Sequence, residues 1–273
     1  MSELKKKEFD LFRKLVYDRL GISLGDQKIS MVQSRLSKLV TQKKLTGYME
    51  LYEYFVRHSG SAVDSELEDA ITTNVTSFFR EKAQWIYFKE FLKDHIAMNG
   101  GKKLRIWSSA SSSGEEPYSI AIFLHENIPN ISTWDIKILA TDISEDILKK
   151  AMAGVYPEKS MEGLPRNIIQ KYFTLKKDVK SKEYAINDSI KEMITFRKYN
   201  LVYGDYGMFV NPLDIIFCRN VMIYFDRIVQ TQINTHLASL LKKDGLLFIG
   251  HSESIPPSVN NLKLVRSSIY MKQ

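Results

Sequence analysis

Polar side chains that could do chemistry follow an apolar run near the middle of this 273-residue chain. Leu104 to Trp107 read as a buried strand, which opens into a loop of small residues, Ser108 to Gly114. Glu115 and Glu116 come next, and Pro117 suits the first turn of a helix. In α/β folds such a strand–loop–helix turn is where a nucleotide-like ligand lies. The segment spells neither a dinucleotide fingerprint nor a P-loop, so an ordinary polar connection is an equally open interpretation.

Two later apolar runs also end in polar residues. Asp142 closes the segment LATDIS, where a carboxylate could bind ribose hydroxyls or could cap the following helix. Arg219 and Asn220 close the segment DIIFCRN, where they could line the same crevice or form a salt bridge within a loop. Because the carboxyl ends of parallel strands meet at one edge of a sheet, these residues are expected to converge.

Other reactive residue types are predicted to be structural. Cys218 is the only cysteine, which excludes an internal disulfide, and we interpret it as a small core residue. His251, Ser252 and Glu253 are adjacent, whereas the members of a hydrolase triad converge from separate segments. The five histidines show no metal-ligand spacing, so we expect no metal site.

The composition is that of a soluble globular protein, with 44% hydrophobic and 26% charged residues. No apolar run is long enough to span a membrane, and the first residues do not form a secretory signal. We therefore expect a cytoplasmic protein without membrane insertion. The net charge is +7, and about +5 of it lies in residues 1–58, which suggests an acidic partner or a solvated basic surface.

The first 72 residues are predicted to form helices only, over 9–20, 28–41, 46–55 and 64–72, with a turn at 59–61. Lys28, Arg35 and Lys38 share a face of the second helix beside its apolar stripe. Residues 72–81, TTNVTSFFRE, are poor helix formers and are predicted to be a linker that packs against another element. A helix is expected from Glu81 to Met98, with a stop at 99–101.

Strands and helices then alternate, which predicts a mostly parallel sheet. Strands are expected at 104–107, 136–140, 213–217 and 246–249, and helices at 117–126, 144–153 and 226–241. A helix at 165–172 and strand-like pieces at 173–175, 184–186 and 193–196 predict a small antiparallel insert. Ile269 to Met271 are expected to form a last edge strand.

Six segments together resemble the CheR-type chemotaxis methyltransferases. They are 72–81 (TTNVTSFFRE), 106–120 (IWSSASSSGEEPYSI), 140–147 (ATDISEDI), 199–201 (YNL), 216–226 (IFCRNVMIYFD) and 247–255 (LFIGHSESI). The family transfers a methyl group from S-adenosylmethionine to glutamate side chains of chemoreceptors. The resemblance implies an α/β fold: an all-helical N-terminal domain (1–72), a linker and connecting helix (73–98), and a Rossmann-like class I methyltransferase domain (99–273) with a β insert at about 173–196.

The resemblance also implies a role for each matching residue. The cofactor would be reached from the linker by Asn74, Thr76 and Arg80. Its methionine end would lie by Glu115 and Glu116, its ribose would be held by Asp142, and its adenine would be flanked by Asn200 and Leu201. Its sulfonium would lie near Arg219 and Asn220, and the transferred methyl would lie near Tyr224. Gly114 is expected to lie beneath the same cofactor. Arg80 and Tyr224 are the residues expected to serve the methyl-transfer step. A glutamate, with a pKa of about 4.3, is already ionised at neutral pH and needs no general base.

The expected partners are chemoreceptors, whose methylation regions present glutamates on helices. We hypothesise that the face with Lys28, Arg35 and Lys38 docks them. The insert has no glycine between Gly163 and Gly204 and carries Lys176, Lys177, Lys180 and Lys182. Edge lysines discourage strand addition, so we predict that the insert does not bind a C-terminal receptor peptide.

The sequence thus predicts a bacterial chemotaxis enzyme that forms glutamate methyl ester and S-adenosylhomocysteine. We expect the protein to be a monomer. We also expect no nucleic-acid partner, because the basic helix lacks an aromatic stacking platform. A methyltransferase of the same fold that acts on another protein, and a non-catalytic module that binds the cofactor, remain alternatives.

Overall fold

The structure is a computed structural model that describes residues 3–58, 61–98, 102–176 and 181–273. Its helices are α1 (Lys6–Leu20), α2 (Ile29–Gln42), α3 (Tyr48–Arg57), α4 (Ser61–Ile71), α5 (Lys82–Met98), α6 (Glu115–Asn127), α7 (Glu145–Ala153), α8 (Arg166–Tyr172), α9 (Asp188–Lys191) and α10 (Arg227–Leu240). Its strands are β1 (Lys103–Ser108), β2 (Asp135–Asp142), β3 (Val155–Pro157), β4 (Phe173–Lys176), β5 (Glu183–Ile186), β6 (Ile194–Lys198), β7 (Leu213–Cys218), β8 (Leu241–Ile249), β9 (Leu262–Arg266) and β10 (Ile269–Lys272). Within those ranges, no helix has both the length and the apolar character that a membrane crossing requires.

Helices α1 to α4 pack around one hydrophobic core. Phe9 and Phe12 from α1, Leu36 from α2 and Phe55 from α3 are all fully buried in it. These residues lie three or four positions apart within each helix, so one face of each helix is apolar. Gly21 ends α1 with φ = 72°, a conformation that glycine adopts without steric cost.

A seven-stranded sheet forms the centre of the remaining chain, in the order β6-β2-β1-β7-β8-β10-β9. The first five of these strands are parallel, and β10 pairs antiparallel with both β8 and β9. Buried residues of β1 and β7 point alternately to hydrophobic cores on the two faces of the sheet. The predicted Rossmann-like arrangement is confirmed. β10 is not the edge strand that we predicted, because β9 pairs with its outer side.

The small insert is a three-stranded antiparallel sheet, but its strands differ from the prediction. Its order is β3-β5-β4, and β3 follows directly from the turn at Gly154 that ends α7. The piece predicted at 193–196 instead becomes β6, which pairs parallel with β2 in the large sheet. The prediction was wrong because β3 has only three residues, too few for a detectable alternation, and β6 is apolar on one face only.

The linker at 72–81 packs against the rest of the chain as predicted. The ring of Phe78 makes edge contacts with Tyr156 and Phe173, and only 9% of this residue is exposed. Helix α5 then places Trp85 and Phe88 in the core under β7 and β8.

Some predictions cannot be compared with this structure. The turns predicted at 59–61 and 99–101 fall wholly or partly outside the described residues, as do Lys177 and Lys180 of the insert. The domain boundaries at 72/73 and 98/99 stay a prediction.

Candidate active site

An open cleft lies at the carboxyl ends of β1, β2 and β7. Its volume is about 1010 Å³ when the part that is open to solvent is included. The linker and the end of α1 form its other wall. Ten of the residues predicted for the site line it: Asn74, Thr76, Arg80, Glu116, Asp142, Asn200, Leu201, Arg219, Asn220 and Tyr224.

Gly114 and Glu115 are predicted site residues that do not line this cleft. A Cβ on Gly114 would lie 2.9 Å from Tyr156 Oη and 3.0 Å from Ala151 Cβ, so the glycine allows α6 to pack closely on its neighbours. Glu115 is 6% exposed and accepts a hydrogen bond from the Ser113 hydroxyl at 2.6 Å. Successive residues of a helix point about 100° apart, so only one of the two glutamates can face the cleft. That residue is Glu116.

Asp142 is held by main-chain N–H groups at the end of β2. Its Oδ2 accepts the N–H of Ser112 at 2.8 Å, and its Oδ1 accepts the N–H of Ser144 at 3.1 Å. The N-cap of α7 is Ser144, whose hydroxyl accepts the N–H of Ile147, so Asp142 is not the cap. Burial raises the pKa of Asp142, although these N–H groups oppose the shift.

Arg219 lies between two carboxylates at the end of β7. Its Nε is 3.4 Å from Glu81 Oε2 and 3.6 Å from Glu116 Oε2, and its Nη2 donates to the carbonyl of Arg80 at 2.7 Å. Burial raises the pKa of Glu116, while the charge of Arg219 opposes this shift. The three side chains form a nearly buried cluster with one more negative than positive charge. Glu81 was missed by the sequence analysis, although it lies in one of the segments that carry the resemblance.

The linker is attached to α2 by Arg35. The guanidinium donates to the carbonyls of Ile71 and Thr72 at 2.5 and 2.7 Å and to Thr73 Oγ1 at 2.8 Å. These three residues also line the cleft. Arg35 therefore makes an internal contact, and its place on a docking face stays a prediction.

Lys28 and Lys38 differ from Arg35 in their surroundings. Lys38 is exposed, and the ammonium of Lys28 lies 5.3 Å from the centre of the Tyr224 ring, at the edge of the cleft. Much of the positive charge nearby is already paired, as in the contacts Lys6–Asp26, Lys14–Asp18, Arg19–Asp64 and Lys43–Glu66. Docking through Lys28 and Lys38 stays a prediction.

The end of α1 closes the cleft over the loop that follows β7, residues 219–226, which we call the β7 loop. Leu20 and Ile22 line the cleft, and the N–H of Ser23 donates to the carbonyl of Tyr224 at 2.8 Å. This contact could not be predicted, because apolar residues at helical spacing indicate a core face and do not identify what that face covers. Arg80 and Tyr224 both line the cleft, and Arg80 Nη1 donates to the Val75 carbonyl at 3.1 Å.

Family models match nearly the whole chain. The CheR methyltransferase all-alpha domain matches residues 7–72, and the CheR methyltransferase SAM-binding domain matches residues 74–271. This chain belongs to the CheR methyltransferase family. It is a methyltransferase that uses S-adenosylmethionine.

Curated relatives agree with this CheR assignment over most of their length. A probable chemotaxis protein methyltransferase of Rhizobium etli is 39% identical over 248 residues, which cover 88% of this chain and 90% of that protein. The chemotaxis protein methyltransferase of Borreliella burgdorferi is 37% identical, with 98% of this chain and 95% of that protein covered. The one of Escherichia coli is 34% identical, with 98% and 91% covered. Among solved structures, magnesium protoporphyrin IX methyltransferase from Synechocystis is 13% identical, and the match covers 80% of this chain and 88% of that protein. Its TM-score of 0.40 is too low to support an inference.

The cleft residues fit the cofactor of the CheR family. Three hydroxyls that lack a hydrogen-bond partner among the described residues belong to side chains that line the cleft: Thr72 Oγ1, Ser112 Oγ and Tyr199 Oη. Buried polar groups without partners are costly, so they indicate a polar ligand. S-adenosylmethionine carries ribose hydroxyls, adenine nitrogens and amino-acid groups that can satisfy them. Tyr199 and Ser112 were missed as site residues, although both lie in segments that carry the resemblance.

Proposed function

We propose that this protein transfers a methyl group from S-adenosylmethionine to glutamate side-chain carboxylates of chemoreceptors, with S-adenosylhomocysteine and a glutamate methyl ester as products. The observation that supports glutamate as the acceptor is the set of residue types that line the cleft. None of the described residues that line it is histidine, lysine or cysteine. An amine or hydroxyl acceptor would have to lose a proton, whereas a glutamate is already an anion at neutral pH.

The acidic groups of the cleft are engaged elsewhere and are poorly placed to act as bases. Glu116 accepts the Ser108 hydroxyl at 2.7 Å and faces Arg219, and Asp142 accepts main-chain N–H groups. The task left to the protein is to exclude water and to hold the acceptor oxygen in line.

We assign the cofactor contacts by position in the cleft. Asp142 holds the ribose hydroxyls, and Asn200 and Leu201 flank the adenine. Glu116 receives the cationic amino group of the methionine end, which suits the surplus negative charge of its cluster with Arg219 and Glu81. Asn74 and Thr76 contribute from the linker, and Asn220 lies with Arg219 near the sulfonium. The cofactor supplies an electrophilic methyl group when it is bound.

Arg80 and Tyr224 are the residues that we assign to the acceptor. Arg80 places a guanidinium at the opening, where an incoming carboxylate can accept charge-assisted hydrogen bonds. Tyr224 faces it from the β7 loop, and its hydroxyl is 3.5 Å from the Thr73 carbonyl. Together they would orient one oxygen of the glutamate toward the methyl group.

The receptor is expected to reach this opening through two lysines of the helical domain, the half-buried Lys28 and the exposed Lys38. We expect no contribution from a C-terminal receptor peptide bound to the insert. This expectation rests on the charged side chains of the small sheet. Lys176 belongs to its edge strand β4, and Lys182 is paired with Glu158 at 3.1 Å.

The test is transfer of isotope-labelled methyl from S-adenosylmethionine to membranes that contain chemoreceptors. Label should enter the receptors with the wild type and fall about 100-fold with Arg80→Ala, since misplacement of a substrate by about 1 Å can cost that much. Tyr224→Phe should also lower turnover and should keep the affinity for S-adenosylhomocysteine. Arg80→Ala should weaken that affinity as well, because Arg80 is also expected to reach the cofactor from the linker. Label in another protein would favour a different acceptor. Binding of the cofactor without any transfer would favour a non-catalytic module.

A further inference from the structure

One carboxylate joins the two loops that follow β7 and β8. Glu253 Oε2 accepts the N–H of Gly250 at 2.6 Å and the N–H of Asn220 at 3.0 Å. Its Oε1 accepts the N–H of Met222 at 2.8 Å. Glu253 itself does not line the cleft. Three main-chain donors thus converge on a side chain that can only accept, and both of its oxygens are used.

The β7 loop contains a tight turn that such hydrogen bonds can hold in place. Asn220 has φ = 58°, in the left-handed region, which asparagine adopts more often than most other residues except glycine. The loop after β8 approaches it closely, since a Cβ on Gly250 would lie 2.6 Å from Asn220 Nδ2. The Asn220 amide donates to Glu81 Oε1 at 3.3 Å, so its main chain and its side chain are bound by two different carboxylates.

We propose that Glu253 is a positioning residue for methyl transfer, which sets the turn that carries Asn220 and Tyr224. The proposal rests on the proposed function, because Tyr224 is assigned there to the acceptor. The cofactor contacts of Asp142 and Asn200 lie on other strand ends and do not depend on this turn. Asn220 lies on the turn, but it is assigned near the sulfonium, a charge that S-adenosylhomocysteine lacks. Loss of the carboxylate should therefore affect transfer far more than cofactor binding.

Glu253→Gln is the main variant, because it keeps the size of the side chain and replaces one acceptor oxygen by a donor. The matched control is Asp214→Asn. Asp214 is a buried carboxylate of β7, 3% exposed, that accepts the N–H of Arg105 at 2.7 Å and the ammonium of Lys242 at 2.5 Å. It lies toward the other end of the strand that precedes the turn, so it should affect stability alone.

The first readout is amide hydrogen exchange in the full chain. Glu253→Gln should accelerate exchange at Asn220, Met222 and Gly250, and Asp214→Asn should not. The second readout is kinetic: kcat for receptor methylation should fall about 10- to 100-fold in Glu253→Gln, while the Kd for S-adenosylhomocysteine changes less than about threefold. Gly250→Ala is a second variant in case Glu253→Gln folds poorly. Its added Cβ would displace Asn220 from the loop after β8, so it should reproduce this kinetic pattern.

Unchanged exchange at the three amides would overturn the proposal, and so would faster exchange with an unchanged kcat. Failure of the proposed function has a different signature, which is a wild type that methylates no receptor. In that case the exchange data and the cofactor affinity still decide whether Glu253 holds the turn.

Discussion

Asp142 has two tasks in this protein, because it holds the β1–α6 loop through the N–H of Ser112 and also faces the cleft. Asp142→Asn retains the volume but loses the charge. Hydrogen bonds to a charged group contribute about 1.5–3 kcal/mol, so we expect the affinity for S-adenosylhomocysteine to fall about 10- to 150-fold. Calorimetry measures this directly.

The control for Asp142 is Ser144→Ala, which removes the cap of α7. Loss of a cap costs about 1 kcal/mol of stability. The affinity for S-adenosylhomocysteine should stay the same in this variant. Equal affinities of Asp142→Asn and the wild type would mean that this carboxylate does not contact the cofactor.

Glu115 provides a test by pH. Burial raises its pKa, and the Ser113 hydroxyl only partly opposes the shift. Because the folded-state pKa lies above that of the unfolded chain, the contribution of Glu115 to stability is present at low pH and is lost as the pH rises through the folded-state value. Glu115→Gln does not titrate. Denaturant unfolding should therefore show that this variant gains stability relative to the wild type as the pH rises above 4.5, the ordinary value for a glutamate, with an unchanged cofactor affinity. A stability difference that does not change with pH would exclude this account of Glu115.

Residues at strand ends were the predictable part of the site. Asp142, Arg219 and Asn220 each follow an apolar run, and the geometry of a parallel sheet brings such positions together. Gly114 and Glu115 were not predictable in the same way, since the sequence does not fix the rotation of α6 over the loop. The contacts of Arg35 could not be predicted either, because its acceptors are mostly main-chain carbonyls, which every residue type has.

At the scale of elements, the linker is the segment whose position depends most on one side chain. Arg35→Met keeps an apolar stem but removes the hydrogen bonds to Ile71, Thr72 and Thr73. We expect a loss of about 1–3 kcal/mol in the free energy of unfolding, and weaker cofactor binding because these residues line the cleft. Lys38→Ala, an exposed change on the same helix, is the control and should alter neither quantity.

Receptor binding and cofactor affinity, measured separately for Arg35→Met, distinguish the two interpretations of Arg35. If Arg35 docked receptors, its replacement would weaken receptor binding while the cofactor affinity stayed the same. The internal contacts predict the opposite order, with cofactor affinity lost first.

The elements themselves were predicted well where they are long and periodic, as in α1, α2 and the central strands. The short strands β3 and β9 were not predicted. The burial of β9 does not alternate: Leu262 is buried, but Leu264 is 56% exposed at the edge of the sheet, so packing imposes little on its sequence. Pairing partners of short strands depend on contacts between distant segments, which periodicity does not encode.

At the scale of the whole molecule, the helical domain forms one wall of the cleft. Gly21 lies at the contact between the domains, where an added Cβ would be 2.6 Å from Val202 Cγ2. Val202 follows Asn200 and Leu201 in the loop that we assign to the adenine. Gly21→Ala should therefore displace α1 from this loop and weaken the binding of S-adenosylhomocysteine about tenfold or more, in line with the close packing of interiors.

Gly163→Ala is the matched control for Gly21→Ala. Gly163 also has a positive φ of 82°, but a Cβ there would meet no atom within 4 Å. Both variants therefore have backbone strain of about 1–3 kcal/mol, and only Gly21→Ala disturbs the contact between the domains. Equal cofactor affinities in the two variants would show that the helical domain does not shape the site.

The measurement that tests the central claim most directly is the identification of the bond that forms. Receptor-containing membranes are incubated with the protein and S-adenosylmethionine, and the receptor peptides are then analysed by mass spectrometry before and after mild alkali. Our account predicts methyl groups on glutamate side chains, released by alkali as expected for esters, and about 100-fold fewer of them when Arg80→Ala replaces the wild type. Methyl groups that resist alkali, or that lie on lysine or arginine, would contradict it.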